Sequence, residues 1–159
     1  MSADADLLKR LDEMSARLRE LEDREAIRNL IASYGPAVDR GDSAGGAEIF
    51  AEDGAYDVGG YGVHRGQSAI SALFDGDVHQ GLITNGASHF LSPMRIELNG
   101  DAAVAVGYSV VFTWAEAAFK AHRIAANRWE LARVDGAWRV TLRINRLLDG
   151  AEEARALLK

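Results

Sequence analysis

The stretch Met94-Arg-Ile-Glu-Leu-Asn-Gly-Asp-Ala-Ala-Val-Ala-Val-Gly-Tyr-Ser-Val-Val-Phe-Thr-Trp114 holds two runs of alternating apolar residues on either side of a turn. Met94, Ile96 and Leu98 recur at every second position, and Ala102, Val104, Val106, Tyr108, Val110, Phe112 and Trp114 resume that period beyond Asn99-Gly100. Side chains leave a strand alternately from its two faces, and Asn-Gly tolerates the positive backbone angles of a tight hairpin. The segment therefore predicts paired antiparallel strands. Two more follow at about 119–134 and 137–148, separated by Asp135-Gly136.

Upstream the period changes to that of helices. Leu7, Leu11, Met14, Leu18 and Leu21 alternate steps of four and three, which gives residues 1–21 the seam of an amphipathic helical extension. The seam packs either on its own domain or on a partner subunit. The stripe then changes phase to Ile27, Leu30, Ile31 and Tyr34, so a bend or restart is expected near Asp23-Arg24-Glu25. Gly35-Pro36 predicts a kink or an end, because proline removes a donor and crowds the carbonyl of Ala32. Ser43 is placed to cap a short helix over residues 44–51, Ala55-Tyr56-Asp57-Val58 has strand character, and residues 67–74 form another helix. Residues 76–88 read as a loop, and residues 150–159 as a helical tail. Helices gathered before long antiparallel strands describe one α+β domain, residues 1–159, whose curved sheet must be covered on its concave side.

Composition excludes several functions. The chain has 159 residues, 48% of them apolar, and no cysteine, so disulfides, thiolate nucleophiles and cysteine metal sites are ruled out. A net charge of −6 with scattered basic residues argues against a nucleic-acid backbone as partner. No apolar run reaches the roughly 20 residues of a membrane helix, and the acidic start lacks a signal-peptide core. The expectation is a cytoplasmic protein with no membrane partner. His64, His79, His89 and His122 show neither His-x-His nor His-Glu-x-x-His spacing, so no metal site is expected.

The chemistry-bearing candidates are Asp39, near the end of the first helical pattern, and His89, where a strand begins. A carboxylate that orients an imidazole makes a general base for near-neutral pH without a cofactor. Asp39 could equally cap the turn at Arg40-Gly41-Asp42. Arg143 shares a strand face with Thr141, Asn145 and Leu147, opposite Trp138, Val140, Leu142 and Ile144. If that face lines a pocket, Asn127 and Asn145 point inwards too, and Tyr56, Val110 and Phe112 supply walls. The parity of His89 with Arg95 and Glu97 points it outwards unless Pro93 interrupts the strand.

Taken in order, Glu22-Asp-Arg-Glu-Ala-Ile-Arg-Asn-Leu-Ile31, Tyr34, Asp39-Arg-Gly-Asp42, Ile49-Phe-Ala-Glu-Asp-Gly54, His64-Arg-Gly66 and Asp135-Gly-Ala-Trp-Arg139 resemble the SnoaL-like branch of the nuclear transport factor 2-like superfamily. The likeness spans roughly residues 20–148. It implies a cone-shaped, strongly curved and mostly antiparallel sheet closed by N-terminal helices around a deep pocket. Its members include cyclases, isomerases, epoxide hydrolases, dehydratases and a dehydrochlorinase, besides non-catalytic binding and assembly modules. By resemblance to scytalone dehydratase and hexachlorocyclohexane dehydrochlorinase, His89 is the base, Asp39 its support, and Arg143 or Tyr34 the stabiliser of developing charge. The dehydrochlorinase carries a lysine where this chain has Tyr34. A phenol donates a hydrogen bond but is no cation at neutral pH, which favours oxygen chemistry over halide loss. The expectation is a cofactor-free lyase of the dehydratase kind, acting on a small apolar, cyclic or aromatic substrate. An isomerase, an epoxide hydrolase or a ligand-binding module are the alternatives. The leucine seam and exposed strand faces suggest a homodimer or homotrimer.

Overall fold

A computed structural model describes residues 3–159. Its first element, α1 (Ala3–Asp39), is a single helix of 37 residues that runs through both expected breaks. Pro36 is tolerated because it lies on the exposed side, where water meets the carbonyl it leaves unbonded. Ile27, Ile31, Tyr34 and Val38 stay on one face and are buried, whereas Leu7, Leu11, Met14, Leu18 and Leu21 are exposed. The N-terminal seam thus does not pack on its own domain.

Asp42, not Ser43, caps α2 (Ser43–Glu48), its carboxylate accepting from the Gly45 N–H at 2.8 Å. That helix stops short of residue 51, because the chain turns extended at β1 (Phe50–Val58), which folds back as β2 (Gly62–Arg65). After α3 (Gln67–Asp75) the expected loop is a further helix, α4 (Asp77–Asn85). A central glycine, Gly81, and caps without a side-chain bond hid it from the sequence. The remaining strands are β3 (Ala87–Leu91), β4 (Arg95–Asn99), β5 (Ala102–Ala115), β6 (Ala118–Val134) and β7 (Ala137–Leu147), and α5 (Glu152–Ala156) ends the fold.

The strands form one sheet in the order β2-β1-β7-β6-β5-β3, with β4 beside β3 on the same edge of β5. All pairs are antiparallel except β1 with β7. The buried face of α1 covers Ala103 and Ala105 of β5, Trp129 and Leu131 of β6, and Trp138 and Val140 of β7. Small residues on β5 make room for the helix. The larger Tyr108 and Trp114, on the opposite parity, are exposed together with Phe90, Phe119 and Ile124.

Asp23 ties helix to sheet. Its Oδ1 accepts from Arg133 Nη2 at 2.6 Å and from the Trp138 indole at 3.0 Å, and Arg133 holds the Asp23 carboxyl below the usual carboxylate range. Two of the sequence motifs, Glu22-Asp-Arg-Glu25 and Asp135-Gly-Ala-Trp138, therefore meet as one structural clamp.

Irregularities in the ladder decide which side chains face inwards. Between β6 and β7 the register passes from Glu130 opposite Leu142 to Leu131 opposite Val140, which makes Thr141 an extra residue on β7. Below it Trp138 and Val140 are buried, and beyond it Arg143 and Asn145 are. Pro93 has a similar effect, since Ser92-Pro-Met94 separates β3 from β4. On β4, Ile96 and Leu98 turn inwards, whereas on β3 the inward set is Ala87, His89 and Leu91. His89 accordingly faces in, against the parity of Arg95 and Glu97.

Candidate active site

Beyond the part of the sheet covered by α1 lies a cavity of about 210 Å³. Its walls come from Tyr34 of α1, Tyr56 and Val58 of β1, Phe74 of α3, Val78, His79 and Leu82 of α4, His89 and Leu91 of β3, Ser109, Val110 and Val111 of β5, and Arg143, Asn145 and Leu147 of β7. Phe112 and Asn127 do not line it. An extra residue on β6, His122, shifts the register opposite Val111 and Phe112, and Asn127 is wholly buried behind Arg143.

Asp39 grips His89 twice. The His89 backbone N–H donates to Oδ2 at 2.8 Å, and ring Nδ1 donates to Oδ1 at 2.6 Å. The turn at Arg40-Gly41-Asp42 is served instead by Asp42, which takes the capping bond and pairs with Arg40. With Nδ1 engaged, Nε2 is the nitrogen left for the cavity that His89 lines. The grip depends on a close approach of α1 to β3. A Cβ on Gly35 would lie 2.3 Å from the His89 carbonyl oxygen, so glycine there sets the separation.

Arg143 is 2% exposed, and three aromatic faces surround its guanidinium: Trp129 at 4.0 Å, Tyr34 at 4.2 Å and Tyr56 at 4.5 Å. A cation on an aromatic face is attracted by about 2 kcal/mol when desolvated. Nε and Nη2 donate to Asn127 Oδ1 at 3.1 and 2.9 Å, and Nη1 has no partner. Asn127 and Asn145 both donate onward to Ser109 Oγ, and Arg123 donates to Asn145 Oδ1 at 2.9 Å. This ladder fixes the arginine from behind. The positive charge meets π faces and a neutral amide oxygen, so it remains available to an oxyanion. Burial pushes the Tyr34 phenol well above its ordinary range; Tyr56 adds to that and Arg143 offsets part of it. Tyr34 therefore acts as a neutral hydrogen-bonding group.

His79 and His122, neither of which has metal-site spacing in the sequence, both line the cavity, and His79 lies 5.3 Å from His89 between ring centres. The sequence signal for His79 is its place between Val78 and Leu82, in a segment whose central glycine masks the helix. No group of three or more His, Asp or Glu side chains among the described residues is arranged to hold a metal ion. Among the described residues, no helix is long and apolar enough to cross a membrane.

Residues 19–144 match the SnoaL-like domain. Among solved structures, the chain is similar to a nuclear transport factor 2-like protein with a cystatin-like fold from Novosphingobium aromaticivorans. The identity is 48%, the TM-score 0.92, and the match covers 94% of this chain and 97% of that one. It is also similar to a protein of unknown function from Mycobacterium tuberculosis, at 30% identity and TM-score 0.69, covering 77% and 74% of the two chains. A hexachlorocyclohexane dehydrochlorinase shares the fold at TM-score 0.70 and 19% identity, covering 83% and 89%. No curated protein matches the chain.

Proposed function

The chain belongs to the SnoaL-like domain family, and on that premise we propose that it is a cofactor-independent lyase of the dehydratase kind acting on a small cyclic or aromatic carbonyl compound. The observation that carries this reading is the double grip of Asp39 on His89, which leaves one basic nitrogen for the cavity. His89 Nε2 removes a proton from the carbon next to the substrate carbonyl. The C–H electron pair moves into an enolate, whose oxygen is held by Arg143 Nη1 and the Tyr34 phenol. Asp39 stabilises the imidazolium formed. Collapse of the enolate breaks the C–O bond at the neighbouring carbon. The departing hydroxide takes the proton from His89 and leaves as water, which restores the neutral imidazole.

Tyr34, in place of a cation, favours an oxygen leaving group over a halide. The test uses cyclic β-hydroxy ketones, following the absorbance of the enone and the exchange of the α-proton in deuterated water. His89→Gln should lose about a thousandfold in both while keeping its melting temperature. Undiminished turnover in that variant would sink the assignment. Exchange without water loss would identify isomerisation as the outcome of the same proton abstraction.

A further inference from the structure

The proton-abstraction step makes no use of the buried imidazole of His79. His79 is 9% exposed and lines the cavity, and its Nε2 is buried without a hydrogen-bond partner. Its other nitrogen explains the state of the ring. Nδ1 lies 2.9 Å from the Phe74 carbonyl oxygen, which can only accept, so Nδ1 carries the hydrogen. The same oxygen also accepts from the Gln80 side chain at 2.9 Å, a second bond that holds the carbonyl in place for the ring. A neutral imidazole protonated at Nδ1 presents a lone pair at Nε2. Burial holds the His79 ring below its ordinary pKa, and the neighbouring His89 acts in the same direction. An acceptor left buried and unmet is destabilising, and a donor arriving with the ligand would relieve that.

We propose that His79 Nε2 forms a second polar subsite in this cavity, which binds a substrate hydroxyl by accepting its hydrogen. The inference rests on the reading of the cavity as the substrate site, and it narrows the substrate class to hydroxylated compounds. A lone pair repels a carboxylate or phenolate, so anionic oxygen goes to Arg143 and neutral O–H to His79. The direction of the bond also identifies which hydroxyl is held. Accepting from an O–H raises the electron density on that oxygen, the opposite of what a departing group needs. The hydroxyl at His79 therefore stays on the molecule, as a phenol does, and the leaving oxygen is a different one.

Binding tests this without turnover. Calorimetry at pH 7 with 2-naphthol and 2-methoxynaphthalene compares an O–H donor with an ether of similar shape. The wild-type protein should prefer the naphthol by about tenfold. His79→Phe should bind the two alike. Equal affinities in the wild type, binding of neither compound, or an unchanged preference in a folded His79→Phe would each overturn the proposal. Nitrogen-15 NMR of the wild-type imidazoles provides a measurement that needs no variant. His79 should read as the Nδ1–H tautomer, with Nε2 moving towards the hydrogen-bonded range when 2-naphthol binds. An Nε2–H tautomer or an imidazolium at pH 7 would also overturn it. His89→Gln should retain the preference, so a failure of the proton-abstraction reading is distinguishable from a failure of this one.

Discussion

The two ends of the sheet's interior are built from the same strands and differ in how their polar atoms are met. Under α1, Leu131, Trp138 and Val140 are buried among apolar neighbours and the Trp138 indole N–H has its carboxylate in Asp23, while the indole N–H of Trp129, where this region meets Arg143, has no partner. At the cavity, β7 continues with Arg143 and Asn145, and both Arg143 Nη1 and His79 Nε2 are buried without a partner. A fold tolerates such atoms at a cost of roughly 1–3 kcal/mol each, and here both belong to residues that line the cavity. The closed end supplies stability that the open end gives up.

The comparison can be broken by variants at either end. Asp39→Asn should have the largest effect on chemistry, lowering turnover about a thousandfold with little loss of melting temperature, because the imidazolium loses its anion and its fixed tautomer. A steady-state assay beside a thermal melt checks both parts. At the closed end, Leu131→Ala should cost about 3 kcal/mol by denaturant titration, from lost burial and the cavity it opens, and leave KM unchanged. Trp138→Phe removes the donor to Asp23, part of a buried ring and some of the face on which Arg133 stacks, and should cost about 2 kcal/mol. The smallest effect concerns pH. His79 holds a proton less tightly when folded than its ordinary value of 6.5, so the unfolded chain binds more protons as the pH falls through that range. Stability should fall slightly below about pH 6.5. Burial is the main force against protonation of that ring and His89 adds to it, while the Phe74 carbonyl, Asp39 and Asp75 partly offset the effect. His79→Phe should flatten the slope in a melting series from pH 7 to 5.

Much of this was legible in the sequence, because period two and glycine-bearing turns are local signals. The long strands β5, β6 and β7 begin and end within a few residues of where alternation places them. Asp39 and His89 stood out because the order of motifs around them resembles a family. Three features were not legible. Helix α4 has a glycine centre and no side-chain cap, so its three-dimensional packing rather than its composition makes it helical. The direction of His89 depends on the interruption at Pro93, whose effect on parity is a property of pairing with β5. The role of His79 depends on the Phe74 carbonyl, a backbone group that no side-chain pattern reveals.

Thr141 has one more consequence. Because a single extra residue on β7 separates the closed interior from the cavity, the chemistry of the site is stored partly as a count rather than as identities. Paired without that bulge, the same residues would put Leu142 and Ile144 on the cavity face and turn Arg143 and Asn145 towards the outside. An oxyanion site would become a greasy one with no amino acid replaced around it. Reading frame along the strand, like register in a code, is itself a determinant of what this protein can bind.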